Sequence, residues 1–167
     1  MKLLKLLLCL AACALLVAAQ DHRSLCLFFD LNMSAPDQLR AQEAAIKFVE
    51  ERTAPSDRVT LMTFTTEVKV VQDFTGDRDL LVAALGKIAP YTASTPANRD
   101  SASRLQALQT AATMLSATPG KKQLVYFSTP DSRPIDGDLD RVMATVAAAV
   151  RANVAFYAVD IRGVVQR

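Results

Sequence analysis

Glycine is scarce in this 167-residue chain. The five glycines are scattered, and neither G-x-x-x-x-G-K-[ST] nor G-x-G-x-x-G occurs, so a phosphate cradle has nothing to build on. Histidine is scarcer, His22 being the single one. It lies beside Asp21 near the expected mature N-terminus, so a Ser-His-Asp arrangement would depend on a tail residue. Long apolar runs are confined to the first nineteen residues, "MKLLKLLLCLAACALLVAA". A basic start (Lys2, Lys5), about a dozen apolar residues and small residues before Gln20 are the build of a secretory signal peptide, and the run is short for a spanning helix.

Cleavage is expected after Ala19, leaving residues 20–167 as a single domain of 148 residues, enough for a real core. The protein is then expected to be exported, either periplasmic or secreted. Two alternatives keep it at a membrane through its N-terminus: an uncleaved anchor, or lipid attachment at Cys13 in the lipobox-like "LAAC". The leader also carries the apparent basic excess. Without Lys2 and Lys5 the chain balances at 17 Lys+Arg against 17 Asp+Glu, so a nucleic-acid partner has no electrostatic support. Of three cysteines only Cys26 lies beyond the leader. No internal disulfide is available to it, and a small buried hydrophobe is its default reading.

What the chain does have is alternation of strand and helix. Leu25–Phe29 is wholly apolar, as expected for a strand covered on both faces. Pro36 suits a first helical position, with Ser34 or Ala35 as cap, and Leu39, Ala45, Ile46 and Val49 recur at helical spacing up to Arg52. "RVTLMTF" and "EVKVVQDF" are separated by only "TT", so they pair antiparallel, the second as an edge strand. A short helix ends near Gly86, and a polar loop, "APYTASTPANRDSAS", leads to a helix carrying Leu105, Leu108, Ala112 and Leu115. "KKQLVYFST", "LDRVMATVAAAVRAN" and "VAFYAVDIRG" complete the order β-α-β-β-α-α-β-α-β. That order implies an α/β fold, a doubly wound and mostly parallel sheet with one antiparallel edge strand. In such sheets ligands sit beyond the carboxyl ends of the strands. Three polar segments should converge there: "DLNMS", the long loop and "TPDSRP".

Asp30, Asn32 and Ser34 occupy alternate positions as the first strand becomes a loop. If the backbone stays extended, a carboxylate, an amide and a hydroxyl point the same way. Such hard oxygen donors suit Mg²⁺ or Ca²⁺ rather than zinc. The same pattern also reads as a capping turn, with Ser34 capping the helix and Asp30 and Asn32 bonded to nearby backbone amides. Spacing alone leaves both readings open. Asp73, Asp77 and Asp79 are explained by a turn and a helix N-terminus.

At these residues the chain resembles a von Willebrand factor type A domain, whose metal-ion-dependent adhesion site opens with D-x-S-x-S after the first strand. It is most similar to the group of such domains described from Acidobacteria, which show "FDxLNxS", "GDRV", "DFTxDRxxL", "PGRK" and "VDxRG". Here stand "FFDLNMS", "SDRVTLMTF", "QDFTGDRDLL", "PGKKQLVYFS" and "YAVDIRG", spread over roughly Ser24 to Gly163. The resemblance implies a Rossmann-like, non-enzymatic protein-binding module. It also implies a Mg²⁺ or Ca²⁺ site completed by a partner's Asp or Glu.

Residue by residue, it implies Asp30, Asn32 and Ser34 as the first metal loop, with Asn32 in place of the commoner serine. The second loop would give a threonine before the helix at Leu105, where the chain offers Thr95, Ser101 and Ser103. The third would give an aspartate directly after the strand. In "FSTPDS" Thr129 stands near that place and Asp131 follows about two residues late, behind Pro130. The site is therefore expected as a working or a degenerate one. The chain stops at Arg167, where the family continues with a terminal helix, so one face of the last strand is expected to be uncovered. Two other functions stay open. One is a metal-independent scaffold for protein assembly, favoured by the late Asp131. The other is a small metal-dependent hydrolase, for which Asp131 is the only second acid beside Asp30.

Overall fold

The computed structural model describes residues 23–92, 101–129 and 139–161. The expected leader, His22, Thr95 and Asp131 lie outside the described residues. The order of elements is the expected one: β1 (Ser24–Asp30), α1 (Ala35–Arg52), β2 (Arg58–Phe64), β3 (Val68–Thr75), α2 (Arg78–Gly86), α3 (Ser101–Leu115), β4 (Lys122–Ser128), α4 (Leu139–Ala152) and β5 (Val154–Asp160). The strands form one sheet in the order β3-β2-β1-β4-β5. β1 pairs parallel with β2 and β4, and β4 with β5, while β2 and β3 run antiparallel.

β1 is central, and all seven of its residues are buried. Its side chains alternate between the two faces, as strand geometry requires. Leu25, Leu27 and Phe29 pack with Ala41, Ala45 and Val49 of α1 and Leu81 and Leu85 of α2. Cys26 and Phe28 join Ala107, Ala111, Ala112 and Leu115 of α3 on the other face. Helices therefore cover both sides, which explains why β1 reads as a continuous apolar run. Burial raises the Cys26 thiol well above its ordinary value, so it stays protonated inside the core.

Two helix faces differ from the periodicity reading. In α1 the core-facing set includes Gln38 and Ala41, while Leu39 is 49% exposed. Gln38 is accommodated there because its amide is hydrogen-bonded to backbone groups of Leu31, Met33 and Tyr91. In α3 the deepest residues are Ala107, Ala111, Ala112 and Leu115, with Leu108 only packed alongside. Small side chains let that helix lie close on the sheet.

The charged residues of "SDRV" and "DFTGDRD" gather away from "DLNMS", around the amino ends of β1 and β2. Asp57 accepts from Arg23 at 2.5 and 3.2 Å and from the Ala54 backbone N–H at 2.8 Å. Arg58 donates to Phe74 O. Asp77 caps α2 by accepting from the Leu80 N–H at 3.0 Å, and Arg78 donates to Thr53 O at the end of α1. These contacts tie helix ends to strand ends and leave the carboxyl edge for other work. The outer face of α4 (Leu139, Met143, Val146, Val150) and Tyr157 of β5 are exposed. Among the described residues, no helix is long and apolar enough to cross a membrane.

Candidate functional site

The site begins where β1 ends. Leu31 N–H donates to Phe64 O at 2.9 Å, so the chain leaves β1 still anchored to the end of β2. Asp30, 2% exposed, is therefore held rigidly at the carboxyl edge. Its Oδ1 accepts the Asn32 backbone N–H at 3.0 Å, an Asx turn that bends the loop. Its Oδ2 accepts the Tyr126 hydroxyl at 3.0 Å and lies 3.1 Å from Arg104 Nε. Burial first, and the neighbouring Asp30 carboxylate second, push the Tyr126 hydroxyl far above its ordinary value, with Arg104 and Ser128 pulling the other way. Tyr126 is consequently a fixed donor to Asp30.

Asn32 is equally buried. Its amide nitrogen donates to Thr65 O at 2.8 Å, while its Oδ1 is buried with no hydrogen-bond partner among the described residues. Ser34 turns the other way: its hydroxyl donates to Asp37 Oδ2 at 2.6 Å and receives the Asp37 N–H at 3.4 Å as the cap of α1. Asp37 in turn holds Arg40 at 2.8 Å. The three alternate side chains thus do not converge on one point. Asp30 and Ser34 make contacts of the capping-turn kind by accepting nearby backbone N–H groups, whereas Asn32 departs from that reading and donates to the Thr65 carbonyl in the turn after β2.

The second segment arrives through α3. Ser101 and Ser103 sit half-buried in its first turn, and the described contact from this turn to Asp30 is made by Arg104. Thr95 of the same segment, and Asp131 of the third, lie outside the described residues, whereas Thr129 directly follows β4 within them. No group of three or more His, Cys, Asp or Glu able to hold a metal occurs among the described residues.

Sequence reasoning missed Gln38, Tyr126 and Arg104. Gln38 is 5% exposed, and its amide reaches Leu31 O (2.9 Å), Met33 O (3.0 Å) and Tyr91 O (2.6 Å), while its oxygen receives the Tyr91 N–H at 2.7 Å. It ties the "DLNMS" loop to the start of the long polar loop. The signal for Arg104 was available: a cation in the first helical turn opposes the helix dipole and calls for an anionic neighbour. A hollow lined by Phe29, Leu31, Gln38, Leu39, Gln42 and Ile88 lies beside the loop, with room for about one water molecule.

A family model described as the von Willebrand factor type A domain matches residues 31–132, beginning within this loop. The chain belongs to the von Willebrand factor type A domain family. Such domains generally mediate protein–protein interaction. Among solved structures, the conserved hypothetical protein BatB from Bacteroides thetaiotaomicron is similar in fold, with 16% identity and a TM-score of 0.55. The match covers 83% of this chain and 65% of that one. The three N-terminal domains of the type V pili tip protein Mfa5 from Porphyromonas gingivalis align at a TM-score of 0.47 and 16% identity, over 62% of this chain and 19% of that one. The type A domain here thus spans about two-thirds of the BatB chain it matches. A comparison with curated proteins gives no match.

Proposed function

We propose that this type A domain is an exported, non-enzymatic protein-binding module that engages its partner at the carboxyl edge of the sheet. Its motif set supports placing it with the Acidobacterial group of the family. The observation that carries the reading is the build of that edge. Asp30, Tyr126 and Gln38 hold a loop rigidly, and Ser34 stands exposed at its rim. Rigid, satisfied supports beneath an exposed loop suit recognition of another surface. The neighbouring hollow is far smaller than the several hundred Å³ of a substrate pocket, which favours binding over turnover.

The described residues do not fit the Mg²⁺ or Ca²⁺ that the family resemblance implies. The Asp30 carboxylate is already met by an arginine, a tyrosine and a backbone amide, and Ser34 serves as a helix cap. Metal-independent binding is accordingly the reading the geometry favours. A cation-dependent reading keeps one supporting observation, the buried and unpartnered Asn32 Oδ1. In that reading Asn32 and Ser34, with Asp131 and one of Thr95, Ser101 or Ser103, would hold the ion, and the ion would supply a positive charge for a partner's carboxylate.

Affinity capture from the exported fraction tests the proposal, comparing the wild type with Ser34→Lys at the rim and Val150→Lys on the remote face of α4. A partner retained by the wild type and by V150K but lost by S34K supports it. Retention unchanged by S34K, or turnover of generic phosphate and ester substrates, contradicts it. Retention lost in EDTA would select the cation-dependent form.

A further inference from the structure

We infer that Arg104 is the resident cation of this site: its guanidinium holds the Asp30 carboxylate where a divalent ion would otherwise sit. The coordination of Asp30 is the first argument. A carboxylate offers about four lone-pair positions. One on Oδ1 goes to the Asn32 N–H and one on Oδ2 to the Tyr126 hydroxyl, while Arg104 Nε stands 3.1 Å from Oδ2 as an ion pair. Burial of the Asp30 side chain, 3% exposed, leaves little access for an additional ligand. The second argument is the placement of Arg104 itself. It stands in the first turn of α3, which contains no acidic residue, so the positive end of the helix dipole disfavours it there. Asp30 supplies the compensating negative charge. The arginine and the carboxylate explain each other.

The pair closes the site to metal by charge as well as by space. A dication brought to Asp30 meets the guanidinium at contact distance, in surroundings too buried for water to screen the repulsion. An ion can therefore enter only if Arg104 leaves. Were it to leave, Asp30 Oδ2 would lose its charged partner, and Asn32 Oδ1, buried with no hydrogen-bond partner among the described residues, would be a second hard oxygen of the same loop. The site reads as one in which a tethered, permanently charged side chain has taken over the electrostatic part of a cation's work. Arginine suits this better than lysine, since its planar donors stay fixed and it does not lose its proton. The inference rests on the carboxyl edge being the functional face, but not on any partner being identified.

Mn²⁺ binding to the whole chain, followed by the resonance signal of the free ion, provides the test. Wild type is expected to show no Asp30-dependent binding at millimolar Mn²⁺. Arg104→Ser is expected to bind at least about tenfold more tightly, and Asp30→Asn/Arg104→Ser to lose that gain. Wild-type binding abolished by Asp30→Asn alone, or a folded Arg104→Ser that binds no more tightly than wild type, overturns the inference. Should Arg104→Ser fail to fold, the wild type still decides. Its Arg104 Nε–H should give a slowly exchanging nitrogen-15 resonance that Mn²⁺ leaves sharp, and broadening by Mn²⁺ overturns the assignment. These readouts are independent of partner capture, so either proposal can fail without the other.

Discussion

The Gln38 side chain lies within hydrogen-bond distance of four backbone groups: its two amide N–H are shared among the carbonyls of Leu31, Met33 and Tyr91, and its oxygen accepts the Tyr91 N–H. Gln38→Ala strands buried groups worth roughly 1–3 kcal/mol each, with water recovering some, so a loss of about 3 kcal/mol is expected. It should appear as a lower urea midpoint at unchanged slope. Tyr126→Phe keeps the ring against Phe28, at 5.7 Å between centroids, and removes only the hydroxyl that Asp30 accepts. A hydrogen bond to a charged group puts that cost at about 1.5–3 kcal/mol, read from the same denaturation curves. At this scale the sequence was partly legible. Ser34 as a cap follows from its place one residue before Ala35-Pro36, since caps obey local rules. Gln38 was hidden because it stands among Asp37, Arg40 and Gln42, and nothing local separates a clamping glutamine from a solvated one. Arg104 pairs with a residue far away in the chain, and only the assembled sheet brings the two together.

Among the elements, β1, β2 and the end of α1 are joined through Asp57. Burial pushes its carboxyl upward, but the Arg23 guanidinium, the Ala54 amide and the charge of Arg78 outweigh that and hold it below the ordinary carboxylate range. A carboxyl whose folded value is lowered stabilises the fold above its unfolded value, and that contribution is lost as pH falls through the folded value. Stability should therefore drop below about pH 4, and Asp57→Asn should flatten this acid limb in melting curves taken from pH 7 to pH 3. An acid limb unchanged in the variant would remove Asp57 from the account. The close approach of α3 to the sheet makes a second expectation. Ala111 is fully buried there, and Ala111→Leu should cost about 1–3 kcal/mol by overpacking, seen in thermal melts. The order of elements was legible because strands and helices impose periods of two and 3.6 on the apolar residues. Which helical residues go deepest was only partly so, because α3 turns Ala107, Ala111 and Ala112 to the sheet together with Leu115 and leaves Leu105 and Leu108 half-buried.

Over the whole molecule, the two edges of the sheet divide the labour. The amino edge carries the charged residues of "SDRV" and "DFTGDRD", and there they staple helix ends to strands. The carboxyl edge carries the inconspicuous residues that support the proposed binding loop. A type A domain was legible from motifs spread along the chain, and those around Asp57 and Asp77 hold junctions of the fold. The state of the site was not legible, because a D-x-N-x-S pattern serves a cap and a cation equally well until its neighbours are placed. The exposed outer face of α4 is a further whole-molecule feature, with Val150 73% exposed. Val150→Asp should leave stability within about 0.5 kcal/mol of wild type by urea titration, in contrast to any change beneath the sheet.

The most direct measurement is a crystal structure of the wild-type chain grown in Mn²⁺, with anomalous scattering recorded at the carboxyl edge. The account predicts the Arg104 guanidinium against Asp30 and no anomalous peak beside Asp30, Asn32 or Ser34. A peak within ligand distance of Asp30, with Arg104 turned away, would contradict it.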